Sequence, residues 1–378
     1  GDIVLLSLFS TMQLLDPKIR EFVAAKENVY VGGPVGLCPE MVLGELDARA
    51  VVTGEGEDIV CDLVEKGPQG LPGTAYRDDG RIVNSPCLPI SSLDHPLPLI
   101  PDDLCLQNVR GANVYIETHR GCLGSCTFCQ VPRLFGRSIR SRSIDNIVEE
   151  VRQMKRQGVS RVAVSGGTGS LFGYGKQINR EAFVEMLRAL SGILGKRNLS
   201  VPDMRVDLVD EAVLEAVRDY TIGWVFFGLE SGSNAMLKAM KKGVTREDNL
   251  RAVELARRVG VKVGGSFIVG YPRESREDYM ESMSFLEQAM LDDVFVSIAE
   301  PIPGTPLARL ALDAPEEELA LYQEHDGDYR ALRLSEAEAR CFELMLQGES
   351  CKPVPRAITN ELYNTYLAEA KGQGKDLK

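Results

Sequence analysis

Strands and helices alternate along the second half of the chain, and this alternation limits the possible folds more than any other feature. Short apolar runs typical of buried strands are separated by amphipathic stretches with helical spacing. Strands are predicted at 113–118, 160–165, 201–207, 223–229, 262–269 and 293–300. Helices are predicted at 144–157, 180–194, 210–218, 233–240 with 246–259, and 275–290. Because crossover helices join parallel strands, the sequence predicts an α/β fold with a partial (β/α)6 barrel over 108–307 and ligands at the strand C-termini.

The segment 1–85 shows the same alternation on a smaller scale. Strands are predicted at 3–8, 29–33 and 50–53, and helices at 18–25, 39–46 and 54–66. This pattern predicts a doubly wound layer with helices against a parallel sheet. Because 3–8 has the pattern of an interior strand with nothing before it, we expect this layer to be N-terminally incomplete.

Two further segments complete the predicted organisation. The stretch 86–107 is interpreted as a linker, because five prolines between Pro86 and Pro101 remove amide donors and disfavour helix. The stretch 308–378 is predicted to be a small helical C-terminal region, most clearly at 314–347.

Composition excludes several classes of protein. The chain has 378 residues, of which 44% are hydrophobic and 26% charged, as in ordinary globular proteins. Its net charge of −12 argues against a duplex nucleic acid as partner. An apolar run of membrane-spanning length and a basic leader are both absent from the sequence, so we expect a cytoplasmic protein with no membrane partner.

Three cysteines with the spacing CxxxCxxC follow the first predicted barrel strand. Cys122, Cys126 and Cys129 lie on one short loop, which can direct three soft thiolate ligands at an iron-sulfur cluster. Three cysteines would leave one iron of a 4Fe-4S cluster open to a chelating substrate. A zinc site is the alternative, and it would need a fourth ligand such as His119 or Cys105.

The cysteine loop resembles the signature of the radical S-adenosylmethionine (SAM) superfamily. The resemblance continues at the strand ends, over about 108–307, in the motifs Ser165-Gly166-Gly167-Thr168-Gly169, Met204-Arg205-Val206-Asp207, Gly228-Leu229-Glu230-Ser231-Gly232-Ser233, Phe267-Ile268-Val269-Gly270-Tyr271-Pro272 and Pro301-Ile302-Pro303-Gly304-Thr305-Pro306. It implies that SAM is bound by Phe128, Gly166, Gly167, Thr168, Arg205, Glu230, Ser231 and Ile268. Thr168 stands where the family usually has an acidic residue.

Each of these positions also has an ordinary structural interpretation. The glycines suit any tight turn between a strand and a helix, Glu230 suits a helix N-terminus, and Arg205 could pair with Asp207. His95 and His325 are interpreted as solvent-exposed residues, and His119 as a residue that orients the cysteine loop. Arg137, Arg140 and Arg142 are interpreted as a solvated basic face.

The first segment resembles the cobalamin-binding domain that precedes many radical SAM enzymes. Small and hydroxyl residues at strand ends leave a crevice for a nucleotide tail, whose phosphate a helix N-terminus can receive. The matching positions are Ser7, Ser10, Thr11, Gly32, Gly33 and Gly54. A DxHxxG motif, which would supply a histidine ligand below cobalt, does not occur in the sequence.

Together the resemblances imply a cobalamin-dependent radical SAM methyltransferase with a 4Fe-4S cluster, SAM and cobalamin as cofactors. Such an enzyme methylates an unactivated carbon, here expected on a protein side chain or backbone, and it needs an electron donor. Overall length and pattern are similar to the methanogen enzymes that modify methyl-coenzyme M reductase, particularly its glutamine C-methyltransferase. The alpha subunit of that reductase is therefore the expected protein substrate.

Other functions stay open at this point. A methylthiotransferase would need three more cysteines for a second cluster, and Cys38, Cys61 and Cys87 fall on unrelated predicted elements. A radical SAM enzyme that does not methylate is a second alternative. A metal-bearing interaction scaffold without enzymatic activity is the third.

Overall fold

The computed structural model describes residues 3–9, 13–14, 16–299, 302, 304–313, 322–325 and 329–332. By its internal contacts the chain divides into two compact units. The first unit comprises 1–92, 128–137 and 301–309, and the second comprises 93–127, 138–300 and 310–378. In chain order the helices are α1 (Pro17–Ala24), α2 (Pro39–Glu45), α3 (Val60–Lys66), α4 (Val131–Leu134), α5 (Ile144–Arg156), α6 (Arg180–Leu194), α7 (Glu211–Tyr220), α8 (Asn234–Ala239), α9 (Arg246–Val259), α10 (Arg276–Ala289) and α11 (Pro306–Asp313).

The first unit contains a five-stranded mixed sheet whose strands keep their sequence order. These strands are β1 (Ile3–Ser7), β2 (Asn28–Gly32), β3 (Ala50–Val52), β4 (Thr74–Asp78) and β5 (Arg81–Asn84). The first three strands are parallel, as the alternation of strand and helix predicts, whereas β4 and β5 pair antiparallel. Val29, Val31 and Val51 on the central strands are fully buried and pack with Val42 and Leu43 of α2.

The second unit contains two parallel sheets that make up the barrel. The strands are β6 (Val114–Glu117), β7 (His119–Arg120), β8 (Arg140–Ser141), β9 (Val162–Ser165), β10 (Leu199–Ser200), β11 (Asp203–Met204), β12 (Trp224–Glu230), β13 (Lys262–Val269) and β14 (Asp293–Ile298). One sheet has the order β10–β9–β6 and the other β11–β12–β13–β14, while β7 and β8 form a short antiparallel pair. All neighbours within the two larger sheets are parallel.

The third barrel strand, predicted at 201–207, is a strand only at β11; β10 comes before the predicted range, and Val206–Leu208 is a short 3-10 helix. Proline has no amide hydrogen to donate to a neighbouring strand, so pairing is interrupted between β10 and β11. The Pro202 carbonyl still accepts a hydrogen bond of 2.5 Å from the Phe226 amide. The chain therefore passes from one sheet to the other at this residue.

Alternate side chains of the barrel strands are buried against the helices. Val225, Phe227 and Leu229 of β12 are fully buried, and they belong to one apolar cluster with Phe183 and Leu187 of α6. Burying one such side chain typically stabilises a protein by about 1.5–3 kcal/mol. This core holds the strand ends that carry the candidate site.

Two capping boxes explain why α9 and α10 begin where they do. The Thr245 hydroxyl caps α9 while Asp248 bonds back to the Thr245 amide, and Ser275 and Asp278 do the same for α10. Gly260, in the left-handed conformation, ends α9. Since each box satisfies amides that lack helical partners, both starts are fixed by local sequence.

The buried amide of Asn113 joins the end of the proline-rich stretch to the barrel. Its Nδ2 donates to the carbonyls of Cys105 and Gln107 at 3.0 and 2.8 Å. Its Oδ1 accepts from the Ser160 amide, the Ser160 hydroxyl and the Arg161 amide at 2.9–3.2 Å. One side chain therefore ties 105–107 to the start of the first two barrel strands.

Further differences from the sequence predictions lie in the first unit and in the C-terminal region. The hairpin of β4 and β5 was not predicted, although its turn at Asp79-Gly80 has positive φ at both residues, the geometry that Asp-Gly favours. The C-terminal region is helical at α11, but Tyr322–His325 (β15) pairs antiparallel with Tyr329–Leu332 (β16). The helix predicted over 314–347 is therefore wrong at these strands, and its other residues lie outside the described ones.

Among the helices of the described ranges, none has both the length and the apolar character that crossing a bilayer requires.

Candidate functional site

The cysteine loop follows the first barrel strand, as the sequence predicts. Cys122 and Cys126 are buried, Cys129 is half-buried, and all three are thiols rather than disulfides. Three soft sulfur donors on one loop fit the ligand chemistry of an iron-sulfur cluster. Within the described ranges, no three cysteine, histidine, aspartate or glutamate side chains surround a common point where a metal could lie. The loop therefore carries three thiols, the donor set that such a cluster requires.

Arg205, between β11 and α7, lies against the buried thiols. Its Nη1 lies 3.3 Å from Sγ of Cys126, and its Nη2 donates to the carbonyl of Lys242 at 2.6 Å. Nε and Nη2 each lie 2.9 Å from a carboxylate oxygen of Asp207. The predicted pairing of Arg205 with Asp207 is confirmed, and the contact with Cys126 is an addition to it.

Glu230 ends β12 in a strained backbone conformation. Its φ of 64° is in the left-handed region, and the register between β12 and β13 shifts between Gly228 and Glu230. Non-glycine residues rarely adopt this conformation, and such strain is often found at functional positions. Glu230 is the last residue of β12, so the strained position lies at the C-terminal end of this strand.

Lys242 is the partner of Glu230, and sequence reasoning did not find it. Its Nζ lies 2.7 Å from Oε1 of Glu230, and both side chains are buried. A Cβ on Gly228 would lie 2.6 Å from that carboxylate and 2.8 Å from the Lys242 ammonium. Gly228 is therefore required for space beside this ion pair, and not only for a turn.

His119 fixes the glycine motif that follows β9. It is fully buried, its Nε2 donates to the Thr168 carbonyl at 3.0 Å, and its Nδ1 lies 3.0 Å from the Thr118 hydroxyl. Because a carbonyl can only accept, the ring proton is on Nε2 and Nδ1 is an acceptor. Burial lowers the pKa of His119 to about 4, despite the opposing effect of the bond to Thr168. The ring is therefore neutral near pH 7.

The glycine motif itself is shaped around that ring. A Cβ on Gly166 would overlap the imidazole of His119, and Gly167 has a φ of 83°. Both positions therefore require glycine for reasons that the structure shows. Thr168 is buried, and its carbonyl is engaged by His119.

The turn after β13 contacts the cysteine loop through two hydroxyl groups. The Tyr271 hydroxyl, on a fully buried side chain, lies 2.6 Å from the hydroxyl of Thr127. The buried Glu274 carboxylate accepts from the amides of Gly270 and Tyr271 at 2.6 and 3.3 Å. Burial raises the pKa of Glu274 to about 7, although the two amide bonds act in the opposite direction. Tyr271 belongs to the strand-end motif at 267–272, but the sequence predicts no role for its hydroxyl.

The remaining predicted SAM residues differ in their surroundings. Ser231 is buried, and its Oγ lies 3.1 Å from the Ser282 hydroxyl and accepts from the Ser233 amide at 3.0 Å. The Ser231 hydroxyl therefore makes its hydrogen bonds within the protein and needs no ligand as a partner. Ile268 on β13 and Phe128 are both half-buried, which leaves part of each side chain accessible.

The predicted cobalamin residues lie in the first unit. Ser7 and Gly32 are register partners at the C-terminal ends of β1 and β2. Gly33 has a φ of 84°, and a Cβ there would lie 2.7 Å from the Leu8 carbonyl oxygen and 2.8 Å from the Ser7 hydroxyl. The predicted meeting of these strand ends is therefore confirmed.

The other predicted cobalamin residues are Gly54, Ser10 and Thr11. Gly54 is explained by packing, because a Cβ there would overlap the Cys87 thiol. Ser10 and Thr11 lie outside the described residues.

The predicted basic face is corrected at Arg142. Its side chain is buried, pairs with Glu150 at 2.5 Å, and donates to the Glu117 carbonyl at 2.9 Å. Arg137 is exposed and Arg140 half-buried. His95 is half-buried with its Nδ1 2.8 Å from the Pro96 carbonyl, and the side chain of His325 lies outside the described ones.

Solved structures with a similar fold were found at low sequence identity. The cobalamin-dependent S-adenosylmethionine radical enzyme OxsB, with aqua-cobalamin and S-adenosylmethionine bound, has a TM-score of 0.68 at 20% identity. The match covers 98% of this chain and 63% of OxsB, so the chain spans less than two thirds of that enzyme. The radical S-adenosylmethionine methyltransferase TsrM from Kitasatospora setae, with cobalamin and a [4Fe-4S] cluster bound, has a TM-score of 0.67 at 19% identity. That match covers 92% of this chain and 73% of TsrM. These likenesses confirm the predicted fold class.

Sequence comparison identifies the family. A protein of Methanocaldococcus jannaschii with the provisional name methylthiotransferase is 54% identical over 100% of this chain and 85% of its own length. The family profile described as Radical SAM superfamily matches residues 116–286, which include the cysteine loop and the strand ends from β6 to β13. The chain therefore belongs to the radical SAM superfamily.

Proposed function

We propose that the protein is a cobalamin-dependent radical SAM methyltransferase acting on an unactivated carbon. The observation that carries this proposal is that a buried thiol pair, the glycine motif and the strained Glu230 follow or end β6, β9 and β12, strands of the two parallel sheets of the second unit. Among the solved structures with a similar fold, OxsB holds aqua-cobalamin and S-adenosylmethionine, and TsrM holds cobalamin and a [4Fe-4S] cluster. The same three cofactors are expected from the sequence.

The residues of the chain divide among these cofactors. Cys122, Cys126 and Cys129 would hold the cluster. Gly166, Gly167 and Glu230 would contact SAM, through the backbone at the glycines and through the carboxylate at Glu230. Ser7, Gly32 and Gly33 would line the cobalamin site. When bound, the cluster supplies an electron to cleave SAM, and cobalamin supplies the methyl group.

The protein itself would supply orientation and exclusion of water. His119 holds the glycine motif through the Thr168 carbonyl, and Tyr271 holds the cysteine loop through Thr127. Both side chains are almost fully buried, so these contacts are shielded from solvent. Fixed geometry of this kind lowers the entropic part of a reaction barrier.

The substrate belongs to the same proposal. A protein side chain or backbone, specifically a glutamine in the alpha subunit of methyl-coenzyme M reductase, is supported by the overall sequence resemblance to the methanogen enzymes that modify that reductase. An electron donor is required as a second partner. Incubation of the purified reductase subunit with the protein, SAM and a reductant tests this, and a mass increase of one methyl group on glutamine is expected.

A methylthiotransferase is the second candidate, favoured by the provisional name of the Methanocaldococcus relative. It would need a second cluster in the first unit. There, Cys61 is exposed on α3, Cys87 packs beside Gly54, and Cys38 precedes α2. Burial raises the pKa of Cys38 to about 11, which disfavours the thiolate that binds a metal. In the described part of this unit the three cysteines belong to separate elements, and this favours methyl transfer.

Metal analysis of protein purified without oxygen distinguishes the candidates. We expect one cluster of four irons and one cobalamin per chain, seen as iron and cobalt content and in the visible spectrum. Two clusters without cobalt would support the methylthiotransferase. One cluster without cobalt would support a radical SAM enzyme that does not methylate. Zinc in place of iron, with no SAM cleavage, would support the scaffold. Replacing Cys122, Cys126 and Cys129 by Ala should abolish iron binding, whereas Cys61→Ala serves as the matched control.

A further inference from the structure

We infer that Arg205 is a positioning residue that sets the reduction potential of the cluster by donating a hydrogen bond to the sulfur of Cys126. The inference rests on the proposed function, since it requires a cluster on the cysteine loop. It assigns to Arg205 a task different from the SAM contact that the sequence resemblance implies.

The donors of Arg205 are almost all engaged by the protein. A guanidinium has five N–H groups. One on Nε and one on Nη2 bond to Asp207, the second on Nη2 bonds to the Lys242 carbonyl, and one on Nη1 points to Cys126. One N–H, on Nη1, remains beyond these four. The side chain is therefore held in place before any ligand binds.

The cysteine loop is built to accept this close approach. A Cβ on Gly124 would lie 2.9 Å from Nη1 of Arg205 and 3.4 Å from Sγ of Cys122. Any side chain at that position would push the guanidinium and the loop apart. Arg205 itself is only 7% exposed, so its charge acts on the sulfur with little screening by water.

A fixed cation beside a cluster ligand favours the reduced cluster. Reduction adds one electron from the donor and makes the cluster more negative by one charge, while no bond to the protein is formed or broken. Hydrogen bonds to ligand sulfur and nearby positive charge stabilise that added charge, which raises the potential. Asp207 opposes this effect, because its carboxylate partly neutralises Arg205. Removing Arg205 should therefore lower the potential, and removing the charge of Asp207 should raise it.

The test is a redox titration of anaerobically reconstituted protein, followed by electron paramagnetic resonance without SAM. We expect a lower midpoint potential for Arg205→Gln, a smaller decrease for Arg205→Lys, and an increase for Asp207→Asn. Arg218→Gln is the matched control, because Arg218 also pairs with an aspartate but lies before the start of β12, at the opposite strand end from the cysteines. Its potential should equal that of the wild type.

The outcomes separate this inference from the proposed function. Wild-type protein that holds no cluster would refute both. Wild-type and Arg205→Gln proteins with full iron and equal potentials would refute the inference alone. If the Arg205→Gln protein loses iron, the Asp207→Asn protein provides the test. A midpoint potential above that of the wild type supports the inference, and an unchanged or lower potential overturns it.

Discussion

The ammonium of Lys242 lies 2.7 Å from a carboxylate oxygen of Glu230, with both side chains almost fully buried. Each charge compensates the other in a region with little water. Loss of one partner leaves the other buried and unpaired, which is far more destabilising than loss of both. The pair therefore links the candidate SAM site to the stability of the barrel.

The first prediction concerns this ion pair. Lys242→Met and Glu230→Gln should each lower the free energy of unfolding by about 3–5 kcal/mol, since each leaves one buried charge. The double variant should lose less free energy of unfolding than the sum of the losses in the two single variants. Urea unfolding of the four proteins measures the coupling, and additive effects would show that the two side chains do not interact.

The second prediction concerns the pH dependence due to His119. Its pKa is about 4 in the folded protein against 6.5 for an ordinary histidine, so the unfolded chain binds the proton more tightly. The contribution of neutral His119 to the free energy of unfolding should be complete above pH 6.5. It should decrease by about 3 kcal/mol as the pH falls to about 4. Urea unfolding at several pH values checks this. His119→Gln should lack this part of the pH dependence; an equal slope in the variant would assign it to other groups.

The third prediction is a pH dependence of opposite sign, due to Glu274. Its pKa is about 7 in the folded protein against 4.5 for an ordinary glutamate, so folding favours the protonated form. The contribution of protonated Glu274 to the free energy of unfolding should be complete below pH 4.5. About 3 kcal/mol of it should be lost as the pH rises through about 7. Compared with Glu274→Gln, the wild type should become progressively less stable over this range. A constant difference between the two proteins would contradict the raised pKa.

The fourth prediction concerns the glycine motif. Gly166→Ala should lower SAM affinity, because the added methyl group overlaps His119 and displaces the Thr168 carbonyl. Gly167→Val should be worse, since valine is strongly disfavoured at a φ of 83°. Calorimetric titration with SAM measures both effects. Gly192→Ala on α6 is the control, because a Cβ there has nothing within 4 Å; wild-type affinity in both motif variants would exclude this loop from the site.

The fifth prediction tests the cobalamin site. Ser7 and Ile3 both have exposed positions on β1, but only Ser7 lies at its C-terminal end. Ser7→Trp should therefore lower the ratio of cobalt to iron, whereas Ile3→Trp should leave it unchanged. Gly33→Trp is a poor probe, because the backbone of Leu8 blocks any side chain there. Equal cobalt content in both variants would place cobalamin elsewhere or exclude it.

Local signals in the sequence predicted the fold closely where they act over a few residues. The bounds of α6 and α9 agree with the predictions to the residue, because caps and apolar spacing are both local. The hairpin at Asp79-Gly80 has a local signal too, because the Asp-Gly pair favours the positive φ that both residues adopt. Lys242 could not be predicted in the same way, since its relation to Glu230 arises only when the chain following β12 returns to the strand end. For the same reason the pairing of Arg205 with Asp207, two residues away, was predictable from the sequence, whereas its contact with Cys126, 79 residues away, was not.

The five hydrogen bonds of Asn113 have a practical consequence for cutting the barrel out of the chain. Composition alone would place the first residue of such a fragment at 108, where the proline-rich stretch ends. That cut removes the carbonyls of Cys105 and Gln107 and leaves a buried amide group without acceptors, at a cost of about 1–3 kcal/mol. A fragment that begins at 93, where the second unit begins, keeps them. Hydrogen bonding, rather than the end of the prolines, marks where this part of the chain can be separated.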